Sequence, residues 1–348
     1  MASLAAMPAS VQRLRERTNG YTVAPQQYVR IAYAALVALT LIVLTGAAVR
    51  LTGSGLGCPT WPKCYGNLYP PLNSHAVIEF TNRVLSVPVV LAAGFAWLGA
   101  LRRRPYRRDL MWLGALLPLG VVAQAVLGGF TVKGALDYGW VMGHFALSML
   151  ILLAAVLLVW RASHEPSPAA SADAPAPAPV DRTLVLWARA LAGLGALVVF
   201  AGTAATAAGP HAGGSPGQKI NRLNLEGRGT MDFVIHRHAE IALVFSLAAV
   251  ALWVLARRRE APPTVQRPLS VLCVLLALQG AVGLDQYETH LPTQLVWVHV
   301  GLACCAWISV LWAALAAGPL APSTVPSPSG RASEASLGPV APLKFPGN

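Results

Sequence analysis

The chain has 348 residues, of which 55% are hydrophobic and only 11% are charged. A soluble globular domain carries about 25% charged residues, and the apolar residues here are grouped into uncharged runs near the length of about 20 residues that crosses a bilayer. The net charge of +12 comes from short clusters of Lys and Arg between those runs. This pattern is typical of topology control, and it argues against a nucleic-acid-binding protein.

The apolar runs predict an all-α integral membrane protein with eight transmembrane helices. The predicted spans are 29–50, 77–101, 109–131, 138–160, 183–208, 231–256, 268–286 and 293–317. Basic clusters lie before the first span and after every even-numbered span, at Arg13–Arg17, Arg102–Arg108, Arg161 with Arg182, and Arg257–Arg267. The positive-inside rule therefore predicts a multi-pass protein of the cell membrane with both termini in the cytoplasm. We expect no cleavable signal peptide, because the first apolar run is long enough to be a span.

The spans divide into two four-helix halves. We expect a cytoplasmic N-terminal segment at 1–28, an N-terminal half at 29–162, a linker at 163–182, a C-terminal half at 183–318 and a tail at 319–348. The linker is rich in Pro, Ala and Ser, which predicts a flexible cytoplasmic connection. The tail has a similar composition and is predicted to be disordered.

Polar and small residues recur at matched places in the two halves. They are Gln124, Gly128 and His144 in the first half and Gln279, Gly283 and His299 in the second, at an offset of 155. Gly46 and Gly53 recur as Gly202 and Gly209, at an offset of 156. The halves are therefore predicted to be parallel repeats that form two pseudo-symmetric four-helix bundles.

The repeat predicts one polar position on the second helix and one on the fourth helix of each half. The offset of 156 takes Asn82 to His238, so the pairs are Asn82 with His144 and His238 with His299. All four lie near the outer ends of their helices, at a depth of roughly 9 Å for a rise of 1.5 Å per residue. A histidine inside a span points to function. Paired imidazoles at equal depth are typical of heme iron ligation, with an interhelical hydrogen bond or a proton relay as alternatives.

His236 is a second candidate on the sixth span. It lies two residues from His238 and therefore points about 200° away from it on a helix. Only one of the two can face the interior of the bundle, and the repeat offset favours His238.

The second span also carries Glu79 and Arg83, four residues apart on one helical face. They form either a helix-stabilising ion pair or an acid–base group with an anion contact beside a bound substrate. The repeat-equivalent position of Glu79 is Ile235, so the two halves are not chemically equivalent. This asymmetry suggests that one half reacts and the other transfers electrons.

Two of the five cysteines, Cys58 and Cys64, lie in the loop after the first span. That loop is predicted to face an oxidising compartment, where a disulfide persists. The pair is either a structural cross-link or an exchangeable redox pair. The other three, Cys273, Cys304 and Cys305, lie inside apolar runs and are expected to be buried bystanders.

At these residues the sequence resembles the heme A synthase family, membrane enzymes of cytochrome oxidase assembly. The resembling segments are Gly46–Pro59, Ile78–Phe80, Gly209–Gly213, and Leu291-Pro292 followed by His299. The resemblance implies eight spans in two halves, with the substrate heme O in the N-terminal half and heme b in the C-terminal half. It also implies that a ring methyl of heme O is oxidised to a formyl group, giving heme A for cytochrome c oxidase.

The resemblance further implies roles for single residues. Glu79 matches the essential acidic residue, His144 matches the substrate-side iron ligand, and Cys58 and Cys64 match the outer disulfide pair. His238 and His299 would bind heme b, and we expect Asn82, Arg83 and His236 near the hemes. Expected partners are heme O, heme O synthase, other cytochrome oxidase assembly factors and a second copy of the chain.

The sequence departs from the family pattern in two places. Asn82 occupies a position that is commonly His, and an amide is a poor iron ligand; the loop 209–230 lacks a cysteine pair. Three other functions remain alternatives at this point. The first is a two-heme cytochrome b-type electron carrier that oxidises quinol, the second is a transporter, and the third is an assembly factor that hands on heme without reacting.

Overall fold

The fold is described by a computed structural model that covers residues 20–165, 181–225 and 229–318. The described residues form eight α-helices, and each is long and apolar enough to cross a membrane. We number them α1 (Pro25–Leu51), α2 (Ser74–Arg102), α3 (Arg108–Lys133), α4 (Tyr138–Ser163), α5 (Arg182–Ala208), α6 (Thr230–Arg258), α7 (Pro263–Glu288) and α8 (Thr293–Ala316). Within those ranges the structure contains no β-strand, only two isolated bridges.

The eight predicted spans are confirmed, with small differences at their ends. The largest lies at α7, which begins at Pro263 instead of residue 268. Proline is well tolerated in the first helical turn, because that turn has no intrahelical partner for its backbone N–H. Pro263 occupies this place, and Pro268 lies further along inside the helix. The basic cluster Arg13–Arg17, most of the linker and the tail lie outside the described residues.

Helices contact their neighbours in chain order within each predicted half. In addition α1 contacts α4, and α5 contacts α8, so each set of four helices closes on itself. Across the two sets α4 contacts both α5 and α8, and α1 contacts α8. A pair of four-helix bundles would make contacts of this kind; that arrangement and the division into halves at 29–162 and 183–318 stay predictions.

The internal repeat extends to the backbone of two short loops. Both the loop between α3 and α4 and the loop between α7 and α8 contain two consecutive residues with positive φ, Ala135-Leu136 and His290-Leu291. In each loop the amide of the leucine donates to the carbonyl oxygen five residues earlier. Left-handed backbone is uncommon for residues other than glycine. Its occurrence at the same offset of 155 therefore indicates that both halves repeat one backbone path.

Half-buried Arg50, at the end of α1, connects the first predicted half to the second. Its Nε donates to the carbonyl oxygen of His211 (2.8 Å), and its Nη2 donates to that of Thr206 (3.2 Å). His211 Nε2 in turn lies 2.7 Å from the carbonyl oxygen of Leu291, in the loop that leads into α8. A guanidinium that is partly withdrawn from water needs such partners, because a charge without them is costly away from water. Arg50 thus connects three elements on the side of the protein that carries the disulfide loop.

The opposite side has its own polar connection in the C-terminal half. The Asp181 carboxylate caps α5 by accepting from the backbone N–H groups of Thr183 and Leu184. Arg259, after the end of α6, donates to the same carboxylate, and this contact lowers the pKa of Asp181 below its usual value.

The three cysteines outside the disulfide loop do not share one environment. Cys304 is buried as expected, whereas Cys273 is half-buried and Cys305 is exposed. The expectation of burial was wrong for Cys305 because a span that is apolar on all sides does not reveal which of its faces packs inward.

We expect Arg50→Ala to destabilise the protein by about 2 kcal/mol, since each hydrogen bond to a charged group contributes about 1.5–3 kcal/mol. Arg30→Ala, at an exposed position on the same helix, is the matched control and should change stability by less than about 0.5 kcal/mol. Thermal unfolding in detergent measures both. Equal melting temperatures for the two variants would contradict the role of Arg50.

Candidate functional site at the disulfide loop and the histidine layer

Cys58 and Cys64 form a disulfide in the loop between α1 and α2. Both residues are fully buried, together with Ala76, and Phe80 packs against them. The predicted disulfide is therefore confirmed, and it lies on the first turns of α2.

Gly57 lets the loop approach α2 this closely. A Cβ atom on this residue would lie 2.2 Å from the carbonyl oxygen of His75, a distance that no side chain can accept. Ser54, which is also fully buried, lies 3.0 Å from His75 Nδ1 through its hydroxyl oxygen. Gly57 therefore serves backbone-to-backbone packing between the loop and α2, whereas Gly53 and Gly55 lie against the backbone of Gly214 and Gly213.

Glu79 and Arg83, on the first turns of α2, bind the backbone of the disulfide loop. Glu79 is 5% exposed; its Oε2 accepts from the backbone N–H of Cys58 (2.6 Å), and its Oε1 accepts from Arg83 (2.5 Å). Arg83 also donates to the carbonyl oxygens of Cys58 and Thr60, both at 2.9 Å. The ion pair considered from the sequence is present, and the guanidinium is directed at the loop carbonyls.

The four polar positions of the repeat each lie against a glycine of a neighbouring helix. A Cβ at Gly128 or Gly283 would lie 3.3 Å from Cε1 of His144 or His299, respectively. The corresponding distances are 3.1 Å from Gly202 to Cε1 of His238 and 4.0 Å from Gly46 to Nδ2 of Asn82. The glycines open space for a ring or an amide between closely packed helices. The structure thus places Asn82 and His238 at equivalent positions, as the offset predicts.

His238 and His299 face each other across the C-terminal half. Their ring centres are 6.3 Å apart. A histidine nitrogen binds a transition metal at about 2.0–2.1 Å and the ring centre lies about 1 Å behind it, so two imidazoles on opposite sides of one metal ion have centres about 6 Å apart. The observed separation therefore suits a metal ion held between the two rings.

His236 points away from this pair. It is exposed, its Nδ1 lies 2.7 Å from the carbonyl oxygen of Asp232, and its ring meets Tyr287 edge-on. The half-turn between His236 and His238 puts them on opposite faces of α6, and the face with His238 is the one that meets His299.

Two buried imidazole nitrogens, Nδ1 of His144 and Nδ1 of His299, have no hydrogen-bond partner within the described residues. Leaving a buried polar atom unpaired costs about 1–3 kcal/mol, which folding alone does not explain. Imidazole is a preferred ligand of iron, so the donor set fits a heme. His238 and His299 would hold it in the C-terminal half, and His144 is the imidazole available in the other half.

Thr45 on α1 is a site residue that the sequence analysis missed. Its hydroxyl oxygen lies 2.7 Å from Oδ1 of Asn82, and the equivalent position in the second half is Ala201. The offset of 156 could have found this difference, but a lone threonine in an apolar run resembles an ordinary interhelical residue.

The model of the cytochrome oxidase assembly protein family (COX15-CtaA) matches residues 29–311. The chain belongs to this family. A heme A synthase of Lysinibacillus sphaericus is 36% identical over 139 residues, which are 37% of this chain and 42% of that protein. The chain thus spans about two fifths of the length of the first such relatives.

Two longer matches cover most of the chain at lower identity. A heme A synthase of Shewanella oneidensis is 26% identical over 79% of this chain and 92% of its own length. A protoheme IX farnesyltransferase of Thermus thermophilus is 27% identical over 82% of this chain, but over only 48% of its own length. Family membership therefore rests on the whole membrane region, not on the glycine-rich motif alone.

We expect Arg83→Ala to loosen the disulfide loop, because the variant loses the donors to the carbonyls of Cys58 and Thr60. Hydrogen exchange of the loop amides should accelerate by at least about tenfold, the effect of losing about 1.4 kcal/mol of local stability. The matched control is Arg237→Ala, which removes an exposed ion pair with Glu240 on α6. An unchanged exchange rate of the loop amides in Arg83→Ala would contradict the role of Arg83 in stabilising the disulfide loop.

Proposed function

We propose that this protein is a heme A synthase, which oxidises a ring methyl of heme O to a formyl group and so provides heme A for cytochrome c oxidase. The family match and the relatives named heme A synthase support this function. The observation that carries the proposal is an asymmetry within one repeated frame. One half has two facing imidazoles, whereas the other has one imidazole and a buried carboxylate beside a disulfide.

The C-terminal half would bind heme b between His238 and His299. Their ring separation of 6.3 Å and the glycines beside them support this ligand pair over one that includes His236. When bound, such a heme supplies one-electron transfer. The residues of this half orient the group and surround it with apolar helices, which favours electron transfer over reaction with small molecules.

The N-terminal half would bind heme O, with His144 as the iron ligand. Conversion of the methyl to the formyl group, with the added oxygen counted as water, releases four electrons and four protons. Glu79 is the proposed proton acceptor, since it is buried three residues from Asn82 on the same helix. Arg83 and the Cys58 amide would hold this carboxylate in place. Ile235, at the equivalent position of the C-terminal half, cannot accept protons. The oxidation is therefore assigned to the N-terminal half.

The two-heme cytochrome b-type carrier remains the principal alternative. It would need two imidazole ligands in each half, and Asn82 takes the place of one of them. The hydrogen bond between Thr45 and Asn82 supports a role for Asn82 other than that of an iron ligand.

We propose the cell membrane as the location, with both termini in the cytoplasm. The basic segments around Arg103 and Arg258 lie on one side, and the disulfide loop lies on the other, where an oxidising compartment would preserve it. Heme O synthase is a proposed partner: about half of the Thermus protein named protoheme IX farnesyltransferase resembles this chain.

We expect Glu79→Gln to lower heme A formation by about 100-fold or more, since the amide cannot accept protons. The product is measured by heme extraction and chromatography from cells that make heme O. Glu240→Gln, which changes an exposed carboxylate on α6, is the matched control. The reduced-minus-oxidised spectrum of the C-terminal heme should stay unchanged in both variants, and wild-type activity in Glu79→Gln would reject the catalytic role.

We expect His238→Ala to remove the low-spin heme from the purified protein, because one of its two ligands is lost. His236→Ala should keep that heme at the wild-type content, since His236 points away from His299. Absorption spectra of the two variants decide between the residues. Loss of the heme in His236→Ala alone would reverse the assignment.

A further inference from the structure

We propose that Asn82, oriented by Thr45, is a hydrogen-bond donor to a small exogenous ligand in the N-terminal half, and that it is not an iron ligand. The proposal rests on the proposed function, because it concerns the heme that His144 would hold. In the N-terminal half, the place equivalent to that of His238 would then be open to small molecules. In the C-terminal half His238 fills the equivalent place.

The first support is the position of the side chain. A Cβ atom on Gly46 would lie 4.0 Å from Nδ2 of Asn82. In the other half, a Cβ atom on Gly202 would lie 3.1 Å from Cε1 of His238. The amide thus takes the place of an imidazole. It cannot replace the imidazole chemically, since carbonyl oxygens suit Mg²⁺ and Ca²⁺, whereas imidazole suits iron. The amide nitrogen has no lone pair available for a metal.

The second support is the direction of the amide. The single hydroxyl proton of Thr45 can reach Asn82 Oδ1 at 2.7 Å or the Ile42 carbonyl oxygen at 3.1 Å. The shorter contact assigns the proton to Oδ1. Both N–H groups of Nδ2 are then left to act as donors. Ala201, the equivalent residue of the C-terminal half, has no hydroxyl. A hydroxyl that orients the side chain on the second helix is therefore found at this position in the N-terminal half only.

The third support is that His144 and His299 make the same contact with a neighbouring helix. Gln124 donates to the carbonyl oxygen of His144 (2.9 Å), and Gln279 donates to that of His299 (3.1 Å). The two halves therefore share the histidine on their fourth helix and differ at the position on their second helix, where one has Asn82 and the other His238. In heme proteins the donors and the access on the second side decide between electron transfer and reaction with small molecules.

Carbon monoxide and cyanide are suitable probes, used on the full-length protein loaded with heme in detergent. In the wild type one heme should bind carbon monoxide and the other should not, and His144→Ala should abolish the binding. Asn82→His should convert the reactive heme to a low-spin form and lower its carbon monoxide binding by at least tenfold.

The donor itself is tested by the C–O stretching frequency. Loss of a donor weakens back-donation from the iron to carbon monoxide, so the frequency should rise in Asn82→Leu and in Thr45→Val. Thr45→Ser keeps the hydroxyl and should restore the wild-type frequency. Cyanide affinity should fall by about tenfold in Asn82→Leu, which corresponds to one hydrogen bond of about 1.4 kcal/mol.

The outcomes separate this inference from the proposed function. Two hemes that are both inert to carbon monoxide, or an unchanged stretch in Asn82→Leu, would overturn the role of Asn82 even if heme A is formed. The expected shifts without any heme A would leave the role of Asn82 in place and reject the synthase. A protein that never takes up a second heme would overturn both.

Discussion

The hydrocarbon interior of the membrane is the constraint on which the whole structure depends. Backbone N–H and C=O groups find no water there, so the chain crosses as continuous helices of 24–29 residues. The same surroundings make every polar side chain costly unless it has a partner. Asn82 and the three histidines consequently lie in one layer, where helices approach closely over glycine. The placement of the candidate site residues follows from this restriction.

Repetition of one four-helix frame allows two different sites to share a common geometry. The histidines on α4 and α8 keep the same glycine neighbour and the same glutamine contact. The differences that bear on the two sites include three side chains of α1 and α2, where Thr45, Glu79 and Asn82 stand in place of Ala201, Ile235 and His238. A few substitutions within a fixed frame are thus sufficient to separate a proposed reacting half from a proposed electron-transfer half.

The disulfide loop is linked to the proposed proton acceptor by direct contact. Cys58 donates to Glu79, and Arg83 joins the carboxylate to the carbonyl oxygen of the same cysteine. Any rearrangement of the loop would therefore move the carboxylate. This contact gives the disulfide a physical connection to the site, whether or not its sulfur atoms exchange electrons.

The sequence by itself determined the eight spans, the internal repeat and the polar positions, because apolar run length and residue spacing are local properties of the chain. It also identified Cys58 and Cys64 as a pair, since they are close in sequence. Only the tertiary structure decided which residues meet. The contacts of Arg50 with His211, of Thr45 with Asn82 and of Glu79 with the Cys58 amide join residues that are 21 to 161 positions apart. Such contacts depend on how helices rotate and pack, and in an apolar span no hydrophobic periodicity marks the face that turns inward.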